Sequence, residues 1–241
     1  MSEWEILDSG CQRADENMHL DSELLGRADQ FSRPILHLYE WAGDSATYGH
    51  FIDPSQFLNL DSVRTLGLQL ARRPTGGGIV FHMWDMAFSV LIPASCPEFS
   101  LNTLDNYAFV NHAVLCAARE FLDQPSQFSL ISKDCHSWDT HCGHFCMAKP
   151  TKYDLVWKER KIAGAAQRKT RKGFLHQGTI AMVPPNEEYL TQVLLPGTKV
   201  REAMRAHTHP LCSQQSELTD AKKQLRSLLA THLRYASLKL I

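Results

Sequence analysis

The sequence predicts an α+β domain built on a mixed, largely antiparallel sheet flanked by helices. Three observations lead there. Residues 34–41, 86–93 and 178–183 are short apolar runs, rich in aromatic and branched side chains, bounded by turn-forming residues. Residues 102–122 and about 219–233 place apolar residues at helical spacing. Strands and helices do not alternate regularly, as βαβ units would require.

In chain order, residues 15–26 carry Met18, Leu20, Leu24 and Leu25 among the acids Asp15, Glu16, Asp21 and Glu23, an amphipathic helix that Gly26 ends. Residues 34–41 read as a strand, and Gly43, Asp44 and Ser45 turn the chain into residues 46–50. Residues 59–70 read as a short helix leading into a glycine loop, and residues 79–81 as the strand leaving it. Residues 86–93 form a second strand, closed by Pro93. In the helix over 102–122, Leu104, Ala108, Leu115, Ala118 and Leu122 recur on one side, with Asn102 or Thr103 as cap. A polar stretch fills 124–150. Residues 153–157 and 161–164 suggest a hairpin around the turn Lys158, Glu159 and Arg160. The strand 178–183 stops at Pro184 and Pro185, and helices follow at 186–195 and about 219–233. The last helix sets Ala221, Leu225, Leu228, Leu229 and Leu233 on one face.

At 241 residues the chain is long enough for one domain with a sizeable core. Residues 1–241 are read as a single domain with a C-terminal helical segment at about 199–241. A net charge of −1 argues against binding nucleic acid or a membrane surface through bulk charge. The start Met1-Ser2-Glu3-Trp4-Glu5 is acidic and lacks the apolar segment of a secretory signal. No apolar run is long enough to cross a bilayer. Seven cysteines, an odd number at no framework spacing, read as reduced thiols in a cytoplasmic protein. Cys135, His136, His141, Cys142, His144 and Cys146 are dense in metal-binding atoms. They form no C-x-x-C pair, so no metal site is expected.

Two stretches carry chemistry. In Arg72-Arg73-Pro74-Thr75-Gly76-Gly77-Gly78-Ile79-Val80-Phe81-His82, three glycines let the backbone bend sharply and approach a ligand. Successive amides of such a loop suit an anion, and the arginines and His82 add donors. Loop-then-strand order and the absence of GKS or GKT exclude a nucleotide P-loop. Taken alone, the stretch is equally readable as a plain glycine turn with solvated arginines. The second stretch is Lys161-Ile162-Ala163-Gly164-Ala165-Ala166-Gln167-Arg168, followed by His176-Gln177-Gly178-Thr179. Small residues after a lysine let its ammonium approach a ligand and stabilise a developing oxyanion.

Together these strings resemble the signatures of the lipoate–protein ligase A and octanoyltransferase family, which includes biotin–protein ligase catalytic domains. The first matches the R-R-x-[ST]-G-G-G-x-V-x-H loop and the second the K-[IV]-x-G-x-A-Q segment, about 80 residues later in the expected order. Weaker echoes lie in Asn17, Met18, Leu20 and Asp21, in Trp41, and in Ser45, Tyr48 and Gly49, so the resemblance covers roughly residues 10 to 200. It implies a biotin/lipoate-ligase-like catalytic domain that attaches lipoyl or octanoyl groups to a lysine of lipoyl-domain proteins. Those acceptors are the E2 subunits of 2-oxoacid dehydrogenases and the glycine cleavage H protein. By the resemblance, Lys161 contacts the acyl carbonyl and phosphate of an acyl-adenylate. Arg72, Arg73, Thr75, Gly76, Gly77, Gly78 and His82 hold the acyl-nucleotide, Gly164 and Ala166 line the pocket, and Gly178 and Thr179 match a strand start.

The sequence departs from the family pattern in three places. Relatives place aspartate directly after the loop histidine, whereas His82 is followed by Met83, Trp84 and Asp85. Relatives set histidine next to the strand glycine, whereas Gln177 stands between His176 and Gly178. The chain is also too short for the full C-terminal accessory domain of bacterial-type ligases.

Three functions follow from the resemblance. The first is a ligase that activates lipoate or octanoate with ATP and Mg before transfer. The second is an ATP-independent transferase in which Cys146, within Cys146-Met147-Ala148-Lys149-Pro150, forms a thioester, with acyl carrier protein added to the partners. The third is a non-catalytic relative that binds lipoyl domains. The basic residues Arg168, Lys169, Arg171 and Lys172 would serve a triphosphate or an acidic lipoyl domain, or form an ordinary solvated turn.

Overall fold

The computed structural model describes residues 3–123 and 127–238. Met1 and Ser2 of the acidic start, residues 124–126 of the polar stretch and residues 239–241 of the C-terminal segment lie outside the described residues. The expected α+β architecture is present. Seven strands form one sheet in the order β1-β2-β6-β10-β9-β8-β7, and three form a second in the order β4-β3-β5. The strands are β1 (Glu5–Gln12), β2 (Ile35–Trp41), β3 (Ser45–Tyr48), β4 (Gln69–Arg72), β5 (Val80–His82), β6 (Asp85–Pro93), β7 (Phe128–Leu130), β8 (Leu155–Trp157), β9 (Arg160–Lys169) and β10 (Gly173–Ala181). Among the strands of the described residues, β1 with β2 and β3 with β4 are the parallel pairs. The helices are α1 (Ala14–Gly26), α2 (Leu60–Thr65), α3 (Thr103–Leu122), α4 (Glu187–Val193), α5 (Val200–His207) and α6 (Leu218–Leu238).

The large sheet has a helix layer on each face, and the two-residue period of its strands decides which side chain meets which layer. Leu36 and Leu38 of β2 join Met86, Phe88, Val90 and Ile92 of β6 and Phe174 and Ile180 of β10 against α3 and α6. Leu225, Leu229 and Leu233 of α6 are fully buried there, each contributing about 1.5–3 kcal/mol. The intervening residues Ile35, Leu91 and Leu175 face α1, packing on Leu24 and Leu25. Gln177 and Thr179 therefore point to the α1 side of β10, while His176 and Gly178 point toward α3. The small sheet has its own core with α2, α4 and α5.

Caps behave as their residue types require. Asn102 accepts from the Leu104 amide at 3.1 Å, and Asn186 caps α4 by accepting from Glu188 and Tyr189. Three expectations need correction, and one strand has no counterpart in the sequence reading. The helix over 59–70 ends at Thr65, and β4 begins at Gln69, because Gly67 takes φ +69° and breaks the helix between them. The hairpin turn is only Lys158 and Glu159, both at positive φ; Arg160 already belongs to β9. β10 starts at Gly173 and ends at Ala181, so Gly178 is mid-strand rather than a strand start. Strand β1 carries too few apolar residues to register as a strand; it is held by pairing with β2. Among the described residues no helix is long and apolar enough to cross a membrane.

Candidate active site

Where the two sheets meet, the glycine loop is fastened by its own arginine. Arg73 donates to the carbonyls of Gly76 at 3.0 Å and Gly78 at 2.7 Å, and to Thr47 Oγ1 at 2.7 Å. Burial lowers its pKa to about 10, so it stays charged at neutral pH. Thr75 is fully buried and donates to Gln177 Oε1 at 2.7 Å. Gly77 adopts φ +83°, a conformation that glycine takes without strain. A Cβ on Gly78 would lie 2.1 Å from the carbonyl oxygen of His144, so only glycine lets these two segments touch. Their contact is a short parallel bridge: Ile79 N donates to His144 O at 2.6 Å and Cys146 N to Ile79 O at 3.0 Å. This bridge brings Cys146, remote in sequence, beside the loop. The amides of Gly76, Gly77 and Gly78 make no hydrogen bond among the described residues and are available to an anionic oxygen.

On the facing strand, Lys161 is 1% exposed. Its Nζ lies 2.6 Å from Asp154 Oδ2, donates to the Cys146 carbonyl at 2.7 Å and stands 3.4 Å from Cys146 Sγ. Burial pulls the ammonium pKa down, but Asp154 and Cys146 outweigh that and hold it above 10.5. Asp154 also accepts from Thr151 N at 2.7 Å, Thr151 Oγ1 at 2.8 Å and the Tyr107 hydroxyl at 3.2 Å. Gly164 leaves the space the lysine needs: a Cβ there would sit 2.3 Å from Lys161 Cε and 3.0 Å from Cys146 Sγ.

His82 is buried and fixed at both nitrogens, with Nδ1 2.6 Å from Asp85 Oδ2 and Nε2 2.8 Å from Thr47 Oγ1. Trp41 stacks on its ring at a centroid distance of 4.3 Å. Asp85 also accepts from Thr179 Oγ1 at 2.6 Å. Thus the carboxylate missing directly after His82 is supplied two positions later, because β6 begins there and aims Asp85 back at the ring. Gln177 is equally integrated: Nε2 donates to Asp21 Oδ2 at 2.6 Å while Oε1 accepts from Thr75. Asp21 in turn holds His37 at 2.8 Å and two bonds from Ser89.

A cleft of about 40 Å³ has a lining that includes Arg73, Gly77, Gly78, His82, Cys146, Gly164, Ala166, Gly178 and Thr179; Lys161 and its partner Asp154 are not among the residues that line it. Thr75 and Gly76 sit behind or beside it. Arg72 is exposed and lines a separate open cleft with Arg168 and His50. Arg73 lines the Cys146 cleft with its guanidinium engaged by loop carbonyls. Gly178 contributes backbone to the cleft; a Cβ there would strike the Phe88 ring at 2.4 Å on the α3 side. His176 points into that core with neither ring nitrogen bonded, and burial lowers its pKa to about 3. Among the described residues no cluster of three or more His, Cys, Asp or Glu could hold a metal ion. Asp154, Thr47 and Tyr107 were not singled out from the sequence, and Asp85 was noted only as part of the departure after His82. Asp154 left a weak signal, as an acid opening the hairpin whose other arm carries Lys161.

The family model for the lipoyl protein ligase A/B catalytic domain matches residues 13–230. The chain is 29% identical over 208 residues to octanoyltransferase LipM of Lysinibacillus sphaericus, covering 85% of this chain and 75% of that protein. It is 28% identical over 204 residues to octanoyltransferase LipM of Bacillus subtilis, covering 84% and 73%. Among solved structures, a lipoate-protein ligase A bound with ATP superposes with a TM-score of 0.74 at 21% identity, covering 97% of this chain and 85% of that one. A putative lipoate protein ligase from T. acidophilum with bound lipoic acid gives 0.70 at 21% identity, covering 97% and 85%; both show a shared fold.

Proposed function

Because the chain belongs to the lipoyl protein ligase A/B catalytic domain family and is an enzyme of that family, we propose that it transfers an octanoyl or lipoyl group through Cys146 to a lysine of a lipoyl-domain protein. One observation carries the reading: Cys146, which lines a cleft with Gly77 and Gly78 of the glycine loop, has its Sγ 3.4 Å from the buried ammonium of Lys161. In the first step the Cys146 thiolate attacks the carbonyl of a donor thioester. The donor carbon–sulfur bond breaks, and the donor sulfur leaves as a thiolate that takes up a proton. In the second step the acceptor amine attacks the Cys146 thioester, Cys146 leaves as thiolate beside Lys161, and the new amide nitrogen loses a proton to water. The free amides of Gly76, Gly77 and Gly78 are the donors available to the oxyanion in each step. Splitting one acyl transfer in two lowers the barrier of each part.

The ligase reading keeps one specific support. The same free amides and the Lys161 ammonium suit the oxygens of an acyl phosphate formed from ATP, as in the first sequence expectation. Incubating the protein with octanoyl-CoA and reading intact mass tests the proposal directly. An octanoyl adduct is expected on wild type and none on C146A, and C146A is expected to leave a lipoyl domain unmodified. If C146A still modifies the domain when given lipoate, ATP and Mg, the thioester route is wrong and the ligase holds. The proposal also treats residues 1–241 as one catalytic unit.

A further inference from the structure

The glycine loop belongs to neither sheet, yet its amides must stay in register with Cys146. Arg73 fixes the shape of the loop by holding the Gly76 and Gly78 carbonyls, but both lie close to it in the chain. Those bonds do not decide where the loop sits on the large sheet. Bonds to that sheet do. The exposed Arg168 of β9 donates to Pro74 O at 3.1 Å, and the fully buried Thr75 donates to Gln177 Oε1 of β10 at 2.7 Å. Water competes for the first bond and is kept from the second. Cys146 is placed on the same sheet, because Lys161 of β9 donates to its carbonyl at 2.7 Å. In the β9–β10 register, Gly164 lies opposite Thr179 and Ala166 opposite Gln177. The loop and the sulfur are thus both referred to one pair of strands.

Gln177 is itself held in one orientation. Its Nε2 donates to Asp21 Oδ2 at 2.6 Å, while Asp21 also accepts the Ser89 hydroxyl at 2.6 and 2.7 Å and lies 2.8 Å from His37 Nδ1. A carboxylate ringed by donors only accepts, so the amide nitrogen faces Asp21 and the amide oxygen faces Thr75. Gln177 lines the Cys146 cleft, but both of its polar atoms are engaged inside the protein. We propose that Gln177 is a positioning residue for acyl transfer, a peg oriented by Asp21 that sets the Gly77 and Gly78 amides against the oxygen of the reacting carbonyl. The proposal rests on the transfer reading of Cys146.

The test uses the full chain. Thr75→Val and Gln177→Met keep each side chain close to its original volume and break the peg, whereas Thr75→Ser keeps the hydroxyl. Each of the first two is expected to slow Cys146 acylation by saturating octanoyl-CoA about tenfold to a hundredfold, with the KM for octanoyl-CoA changed by less than about threefold. Thr75→Ser should recover most of the rate lost in Thr75→Val. Alkylation by iodoacetamide displaces iodide and builds no oxyanion. Its rate on the peptide that carries Cys146 should therefore match wild type in every variant. The double variant T75V/Q177M should be no slower than the slower single variant, since both remove the same bond. A wild-type acylation rate in Thr75→Val overturns the proposal. So does alkylation slowed as much as acylation, which marks a general disturbance of the cleft. If Gln177→Met does not fold, Thr75→Val decides alone, because it leaves the bond to Asp21 in place. If wild type acquires no acyl adduct, the transfer reading falls, and hydrogen exchange then decides the peg. The His50 amide, bonded to Thr75 O at 3.0 Å, and the Ile79 amide, bonded to His144 O at 2.6 Å, should exchange faster in Thr75→Val than in Thr75→Ser; equal rates overturn it.

Discussion

Lys161 Nζ and Asp154 Oδ2 stand 2.6 Å apart with both side chains 1% exposed, and the same ammonium reaches Cys146. One cation therefore joins the interior of the fold to the sulfur proposed to react. Replacing Lys161 with alanine is expected to abolish acyl transfer and to destabilise the protein by about 3–5 kcal/mol, since Asp154 is left buried and uncompensated. The double variant K161A/D154A should recover much of that stability and none of the activity. Denaturant midpoints and single-turnover assays on the two variants check both halves.

The elevated Lys161 pKa gives that stability a pH dependence. The folded value lies above the unfolded one, so the contribution is complete below about 10.5 and is lost as pH rises through the folded value. Wild type should lose stability in strongly alkaline buffer more steeply than K161A/D154A.

Gly164 tests the space around the ammonium. Gly164→Ala sets a methyl group 2.3 Å from Lys161 Cε and 3.0 Å from Cys146 Sγ, and the flexible lysine must yield. Turnover is expected to fall by about a hundredfold while the fold survives, because a shift on the order of 1 Å suffices. A G164A enzyme with wild-type kcat would mean that the lysine position is not critical.

Asp85 sits under His82. Burial pushes its carboxyl up, but His82 and Thr179 hold it below 3.8. The stabilising contribution is present above that unfolded value and is lost as pH falls through the lower folded value. Asp85→Asn should cost about 1–3 kcal/mol at neutral pH and raise the KM of the acyl donor, since His82 loses the partner that aims it. Equal KM for D85N and wild type would leave the dyad without a role in binding.

His176 predicts acid sensitivity away from the site. Burial lowers its pKa to about 3 from 6.5, so between those values the unfolded chain binds a proton that the folded chain refuses. Stability should fall by about 1.4 kcal/mol for each pH unit across that window on going to lower pH. His176→Leu should flatten this part of the profile, as urea titrations at several pH values would show.

Much of the site was legible because its parts are local and chemically unusual. Three glycines before a strand, or a lysine followed by small residues, stand out in any single sequence. Their reasons were less legible. Gly78 is glycine because His144 lies 2.1 Å from where its Cβ would be, and Gly164 because Lys161 folds over it. Asp154 and Tyr107 were missed because an acid opening a strand, or a tyrosine on a helix, becomes distinctive only once its buried neighbour is known. Arg72 and Arg73 are adjacent and alike in sequence. One is exposed and one is buried, because successive residues at the end of β4 point to opposite faces.

By itself the sequence determined the α+β class, the helices α3 and α6, and the family, since these depend on periodicity and on residues close together in the chain. The tertiary structure decided which groups act together. The bridge between Ile79 and Phe145 brings Cys146 to the glycine loop, and the β8–β9 hairpin places Lys161 between that sulfur and Asp154. Such contacts join residues remote in sequence, whose spacing carries no signal until the sheet register fixes who faces whom.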